Sequence, residues 1–197
     1  MSVLDELKQH LEPGQVYRRG DLAQWSNAVD RHLKLLVKDG TLHKVSQGVY
    51  ACPKKTSFGN AAPEDYKLVE AFLKTDDFLL FSSNTYNALG VGTTQLYNEQ
   101  VVYNRKRHGK FKLGNRTFSF QMKPYFPKEA SKEFLLVDLV NNVNKLAEEQ
   151  DAVLERITHV VASMNFSSLK KSAQLYGGVR AKKFFASIDS KAVIHAA

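Results

Sequence analysis

Cysteine occurs once in this chain, at Cys52, and tryptophan once, at Trp25. A single thiol excludes an intramolecular disulfide and any multi-cysteine metal site. The histidines, His10, His32, His43, His108, His159 and His195, are scattered. None pairs with another at the i, i+4 spacing of a helix-borne metal site. No uninterrupted apolar run approaches the roughly 20 residues needed to cross a bilayer, so no membrane partner is expected. Met1 to Glu6 carries acids where a signal peptide needs bases and then a long apolar core. The expectation is a cytoplasmic protein. Acid is also scarce: 20 Asp and Glu face 28 Lys and Arg, for a net charge of +8 over 197 residues. That surplus favours polyanionic partners such as DNA or RNA, and would equally suit an acidic protein.

What is present is most informative in residues 1–55. Val3, Leu4, Leu7 and Leu11 recur at helical spacing, and Pro13-Gly14 ends that helix. Gln15-Val16-Tyr17 reads as a brief extended piece. Asp21 to Trp25 reads as a second short helix, with Leu22 and Trp25 facing a core. Ser26 is placed to cap a third helix running to Asp39, with Val29, Leu33, Leu36 and Val37 as its buried stripe. Gly40 stops it. Thr41 to Val45, a turn at Ser46-Gln47-Gly48, and Val49-Tyr50-Ala51 then form a glycine-tipped hairpin. This order predicts a winged helix-turn-helix.

Advancing about 100° per residue puts Asn27, Arg31, Lys34 and Lys38 on the face opposite the stripe. Asn and Arg make paired hydrogen bonds to adenine and guanine edges in the major groove. Lysines suit phosphates, as point charges on flexible stems. The wing adds Lys44 and Gln47, beside His43 and Ser46, with Lys54 and Lys55 just beyond. The candidate DNA contacts are therefore Asn27, Arg31, Lys34, Lys38, Lys44 and Gln47. Two features count against strong binding by one copy. Asp30 lies beside Arg31, and the segment's nine bases face six acids. A dimer on DNA or a second basic surface is expected. A winged helix that docks protein would carry a similar solvated face.

Pro53 to Ala62 is poor in large apolar residues and reads as a linker, centred on 56–62, before a larger domain over 63–197. Pro63 opens a helix to about Lys74 that buries Tyr66, Val69, Phe72 and Leu73. Phe78 to Phe81 reads as a buried strand, and Ser83 as the cap of a helix ending at Gly90. Val101 to Tyr103, Lys110 to Leu113 and Arg116 to Met122 read as strands, the last two joined at Gly114-Asn115. Phe118, Phe120 and Met122 alternate with polar residues and mark the buried face. Helical patterns follow over Phe134 to Val143, Val153 to Met164 and Ser167 to Leu175. Gly177-Gly178 precedes a last helix, Val179 to Ile188. The expected fold class is α+β: an N-terminal winged helix-turn-helix plus a mixed domain with a small antiparallel sheet and packed helices.

Between Asn98 and Lys128 only Glu99 opposes Arg105, Lys106, Arg107, Lys110, Lys112, Arg116, Lys123 and Lys128. The first six form a candidate second basic surface, with Tyr103, Phe111, Tyr125 and Phe126 interleaved. It suits nucleic acid or an acidic protein equally. A further cluster, Lys170, Lys171, Arg180, Lys182 and Lys183, has no acid near it. Catalytic signals are lacking. Cys52 reads as a small buried residue, with His43 on the facing strand. Gly90-Val91-Gly92-Thr93-Thr94 lacks the Gly-Lys of a phosphate loop and reads as a helix end. Asp138, Glu148, Glu149 and Asp151 read as solvated helix acids. No enzymatic activity, metal or cofactor is expected.

The segment Val16 to Pro53, in particular Leu33 to Pro53 with its leucine-rich helix, Gly40, short strand and Gly48-Val49-Tyr50, resembles the N-terminal part of the AbiEi family. These proteins are the antitoxins of type IV toxin–antitoxin systems, associated with phage defence. Ser82 to Val91, the basic hairpin, and Phe166 to Ile188 are similar to later parts of that family. The resemblance implies a repressor of its own promoter that binds inverted repeats in double-stranded DNA. It also implies an antitoxin countering a nucleotidyltransferase-like toxin, without necessarily forming a stable complex. Two alternatives stay open. One is a stand-alone winged-helix regulator whose C-terminal domain dimerises or senses a ligand. The other is an RNA-processing factor or enzyme using the basic hairpin.

Overall fold

The computed structural model describes residues 2–94 and 96–195. Its helices and antiparallel strands make an α+β protein. The chain divides into two compact units, 1–77 with 106–120, and 78–105 with 121–197. The units do not follow the expected boundary at 56–62. The 65–73 helix and most of the Gly114-Asn115 hairpin pack with the first 61 residues.

The first unit begins with α1 (Val3–Gln9), fixed by a capping box between Ser2 and Asp5. A helix of 7 residues does not stand alone in water. Leu7, its only buried side chain, holds it to Leu22, Leu33, Leu36 and Leu42. β1 (Val16–Arg18) leads into α2 (Arg19–Leu22), which continues as a 3-10 turn through Trp25. The Trp25 ring stacks on His10 with centroids 4.5 Å apart. α3 (Val29–Lys38) follows, and then β2 (His43–Ser46) and β3 (Val49–Ala51), closing an antiparallel sheet in the order β1-β3-β2. Gln47-Gly48 is the turn, with Ser46 opposite Val49. Gly48 sits at φ 71°, a conformation that side chains resist.

Several expectations are corrected here. Ser26 does not cap α3. Its hydroxyl bonds the Nδ1 of buried His32 at 2.8 Å and accepts from the Ala28 amide at 3.2 Å. The helix therefore starts three residues later, and His32 joins Val29, Leu33 and Leu36 on the buried stripe. Val37 is 38% exposed, because the buried stripe is narrower than expected and turns Val29, His32, Leu33 and Leu36 inward. The expected linker contains a hairpin, β4 (Lys54–Thr56) with β5 (Gly59–Ala61). Thr56 ties its turn by donating to the Gly59 carbonyl at 2.7 Å, and Phe58 stands fully exposed at its tip.

α4 (Asp65–Leu73) buries Leu68, Val69 and Leu73, while Tyr66 is exposed and Phe72 half-buried. β8 (Gly109–Leu113) pairs with β9 (Arg116–Met122), with Leu113 opposite Arg116 as the turn chemistry requires. Gly114 in that turn donates to the Val45 carbonyl on β2 at 2.8 Å. Phe72, Phe111 and Phe120 cluster with centroids 5.1 to 5.5 Å apart. Phe118 and Phe120 are fully buried, but Met122 is 55% exposed, so the alternation ends one pair early.

In the second unit, β6 (Phe78–Ser82) pairs antiparallel with β7 (Gln100–Asn104). Ser82, not Ser83, caps the intervening 3-10 turn, which ends at Gly90 with φ 73°. α5 (Lys132–Asn142) is buried on every side from Phe134 to Val140, as a central helix must be. α7 (Phe166–Tyr176) and α8 (Val179–His195) pack on it. α6 (Gln150–Ala162) adds Val153, Ile157 and Val161 to the same core. Among the described residues, no helix is long and apolar enough to cross a membrane.

Candidate nucleic-acid interface

The buried stripe of α3 fixes what its other face presents. Arg31, Lys34 and Lys38 are exposed, spaced i, i+3 and i+7 along one edge. Asn27 is also exposed, but in the turn held by Ser26 rather than in the helix. Lys44 projects from β2, opposite Tyr50 on β3. Lys34 and Lys44 line one depression of about 470 Å³, whose walls also include Asp30, Leu33, Val37 and Tyr50. Gln47 stands exposed at the hairpin tip. Helix and hairpin thus bring two of the expected cations together, although they lie on different elements.

The acids on α3 are occupied. Arg19 of α2 grips Asp30 with Nε at 2.7 Å and Nη2 at 2.6 Å. That hydrogen-bonded partner lowers the Asp30 pKa. Lys8 of α1 reaches Asp39 at 2.8 Å, and Asp39 also accepts from the Thr41 amide at 3.0 Å. These contacts, the Lys8 bond foremost, hold the Asp39 carboxyl down to about 2. Arg31, Lys34, Lys38 and Lys44 take no ion pair among the described residues. The result is an edge of unpaired cations beside two neutralised acids. Sequence reasoning missed Lys8 and Arg19, because only the fold places α1 and α2 against the ends of α3.

The six bases of the expected second surface do not act as one. Arg105 belongs to the second unit, and the other five to the first. Arg105 donates to the Pro124 carbonyl at 3.2 Å, and its guanidinium lies 4.6 Å from the Phe126 centroid. Lys106 donates to the carbonyls of Leu73 and Lys74 at 3.2 and 3.1 Å, capping the C-terminus of α4. Arg107 lies 4.6 Å over the Phe72 ring, and Arg116 is ion-paired with Asp65. Lys110 and Lys112 point to the exposed side of β8. Much of this charge is thus engaged within the fold.

Asp138 corrects the reading of helix acids as solvated: it is 3% exposed. Tyr86 donates to Oδ2 at 2.5 Å and Tyr103 to Oδ1 at 2.7 Å. Desolvation raises the Asp138 carboxyl despite those donors, and raises both phenols. Its signal was legible as one acid inside the apolar run Phe134 to Val140. Glu149 caps α6, and Glu148 accepts from the Thr94 amide. Cys52 is buried in the core of the first unit, and burial pushes its thiol up. No group of His, Cys, Asp and Glu that could hold a metal ion occurs among the described residues.

No family model matches the chain, and no curated protein matches it. Among solved structures it is similar to the crystal structure of the RV2827C protein from Mycobacterium tuberculosis. The TM-score is 0.59 at 15% identity, with 94% of this chain and 74% of that chain covered. At that identity the likeness speaks to the fold.

Proposed function

We propose that the chain is a DNA-binding transcriptional repressor that uses α3 and the β2–β3 hairpin as a winged helix-turn-helix. One observation carries this reading: Arg31, Lys34, Lys38 and Lys44 are exposed and unpaired, while Asp30 and Asp39 beside them are held by Arg19 and Lys8. Three helices, with β1 between the first two and the β2–β3 hairpin after the third, and a sheet in the order β1-β3-β2 provide the frame such a module needs. Arg31 and Asn27 would meet base edges, and Lys34, Lys38 and Lys44 phosphates, with Gln47 at the flanking groove. The antitoxin role, countering a nucleotidyltransferase-like toxin, rests on the resemblance to the AbiEi family. The stand-alone regulator is favoured by a separate observation: Arg105, Lys106, Arg107 and Arg116 serve intramolecular contacts, which reduces the surface available for a second task.

A gel shift of the full chain on its own upstream region, against shuffled DNA at two salt concentrations, tests the repressor. A sequence-specific shift with a steep salt slope is expected. Equal affinity for both DNAs would leave the module as a protein-docking domain. Growth rescue on co-expression with the adjacent reading frame tests the antitoxin; no rescue, or no toxic neighbour, favours the stand-alone regulator.

A further inference from the structure

The second unit holds a groove of about 540 Å³, within the usual size of a small-ligand site. It runs from the segment after β9, past the C-terminal end of α5, to the break between α7 and α8. Lys123, Lys145, Arg180 and Lys182 line it, and no carboxylate does. None of the four takes an ion pair among the described residues. Four like charges around one concavity repel one another, a cost that an anionic ligand removes.

The groove is built rather than incidental. Asn141 accepts from the Gly178 amide at 2.9 Å and donates to the Tyr176 carbonyl at 3.3 Å. One carboxamide of α5 thereby locks the α7–α8 break. A Cβ on Gly177 would lie 2.3 Å from the Ala173 carbonyl oxygen, so only glycine fits there. This fixes the first turn of α8 at the groove wall, with Val179, Arg180 and Lys182 among its lining residues. Asn142 anchors to the Asp138 carbonyl at 2.9 Å and holds Lys145 through Oδ1 at 2.9 Å. Lys123 rests 5.1 Å over the Tyr103 ring. Lys123 is thus placed by Tyr103, and Lys145 by Asn142, whose amide also reaches the Tyr103 hydroxyl at 3.4 Å.

At the rim, Tyr125 is 70% exposed, a large planar ring with no core to pack in. Several cations around one concavity and an exposed aromatic ring are the two parts of a nucleotide site: charge for the phosphates and stacking for the base. The exposed ring favours a ligand that carries a planar base over an acidic peptide. We propose that this groove binds the phosphorylated nucleotide unit, with phosphates at Lys145, Arg180 and Lys182 and the base on Tyr125. The unit is either a free nucleoside triphosphate or one nucleotide of a single strand. The proposal does not depend on the repressor reading.

The test uses the full chain carrying Arg31→Ala, Lys34→Ala and Lys44→Ala, which silences the α3 edge. A fluorescein-labelled ten-nucleotide single strand is titrated by anisotropy, with ATP and inorganic tripolyphosphate as competitors. Strand binding with displacement by ATP assigns the site to free nucleotides. Strand binding without such displacement assigns it to single strands. In either case Lys145→Ala with Arg180→Ala and Lys182→Ala should weaken binding at least tenfold, with an unchanged melting temperature. Tyr125→Ala should weaken the strand or ATP about fivefold or more and leave tripolyphosphate unaffected. Absence of strand and ATP binding, or affinities unmoved by these variants, overturns the proposal. So does capture of poly-glutamate in preference to both nucleotide probes.

Discussion

Arg19 and Asp30 form a two-point clamp between α2 and the start of α3, one residue from Arg31. Both side chains are largely solvent-exposed. The pair therefore matters little for stability and much for the local field. Removing Arg19 bares a negative charge on the proposed DNA-binding edge; removing the Asp30 charge frees a cation there. Arg19→Ala should weaken operator binding, and Asp30→Asn should strengthen it, by about a fewfold each at low salt. Both shifts should shrink as salt rises. Changes of the same sign in the two variants would show that the clamp acts on the fold and not on the field.

The cations themselves separate by role. Lys34→Ala and Lys44→Ala should weaken specific and non-specific DNA alike and lower the salt slope by about 1 each. Arg31→Ala should relax discrimination at one position of the operator, at a cost of about 1–3 kcal/mol. Lys106→Ala, which uncaps α4, should leave DNA affinity unchanged and lower the melting temperature. Loss of DNA binding in Lys106→Ala with intact Lys34→Ala binding would move the interface to the β8–β9 hairpin.

Much of this edge was legible in the sequence. The 3.6-residue periodicity places Leu33, Leu36 and the opposed Arg31 and Lys34 correctly, because a surface helix has one dry side. Gly48 and Gly114 marked their turns for the conformational reason that glycine is used there. Long-range partners were not legible. Nothing near Lys106 in sequence says that its ammonium reaches carbonyls 32 and 33 residues away. Ser26 reads as a cap from its residue type alone; only the fold, which buries His32 beside it, shows that the hydroxyl has another partner. The hairpin at residues 54–61 leaves no mark in the sequence, because its strands bury almost nothing and carry no apolar alternation.

Asp138 gives the second unit a pH dependence of definite sign. Its carboxyl titrates near ~3.9 in an unfolded chain and higher in the fold. Between the two values the native state holds more protons, so this group's contribution to stability falls as pH rises through that window. Asp39 acts oppositely: its folded value of about 2 gives stability that is present above ~3.9 and lost as pH falls toward 2. In urea unfolding between pH 4 and 7, Asp138→Asn should flatten the decline seen in the parent chain. A constant offset between the two curves would mean that folding does not raise this carboxyl's pKa. Tyr86→Phe, which strips one donor from the buried carboxyl, should cost about 1–3 kcal/mol.

Leu7 is the only buried side chain of α1. Leu7→Ala should therefore cost about 2–5 kcal/mol and release α1 before the rest of its unit unfolds. Amide exchange in residues 3–9 is the measurement. Protection there equal to that of α3 would mean that α1 is held by its cap and not by Leu7.

Cys52 makes the first unit report on its own breathing. A thiol that is both sealed in the core and raised in pKa reacts only after the surrounding side chains part. With no second cysteine to compete, the labelling rate with an excess of a soluble disulfide becomes a direct clock for opening of that core. A ligand that binds only the closed form should slow the clock in proportion to its occupancy.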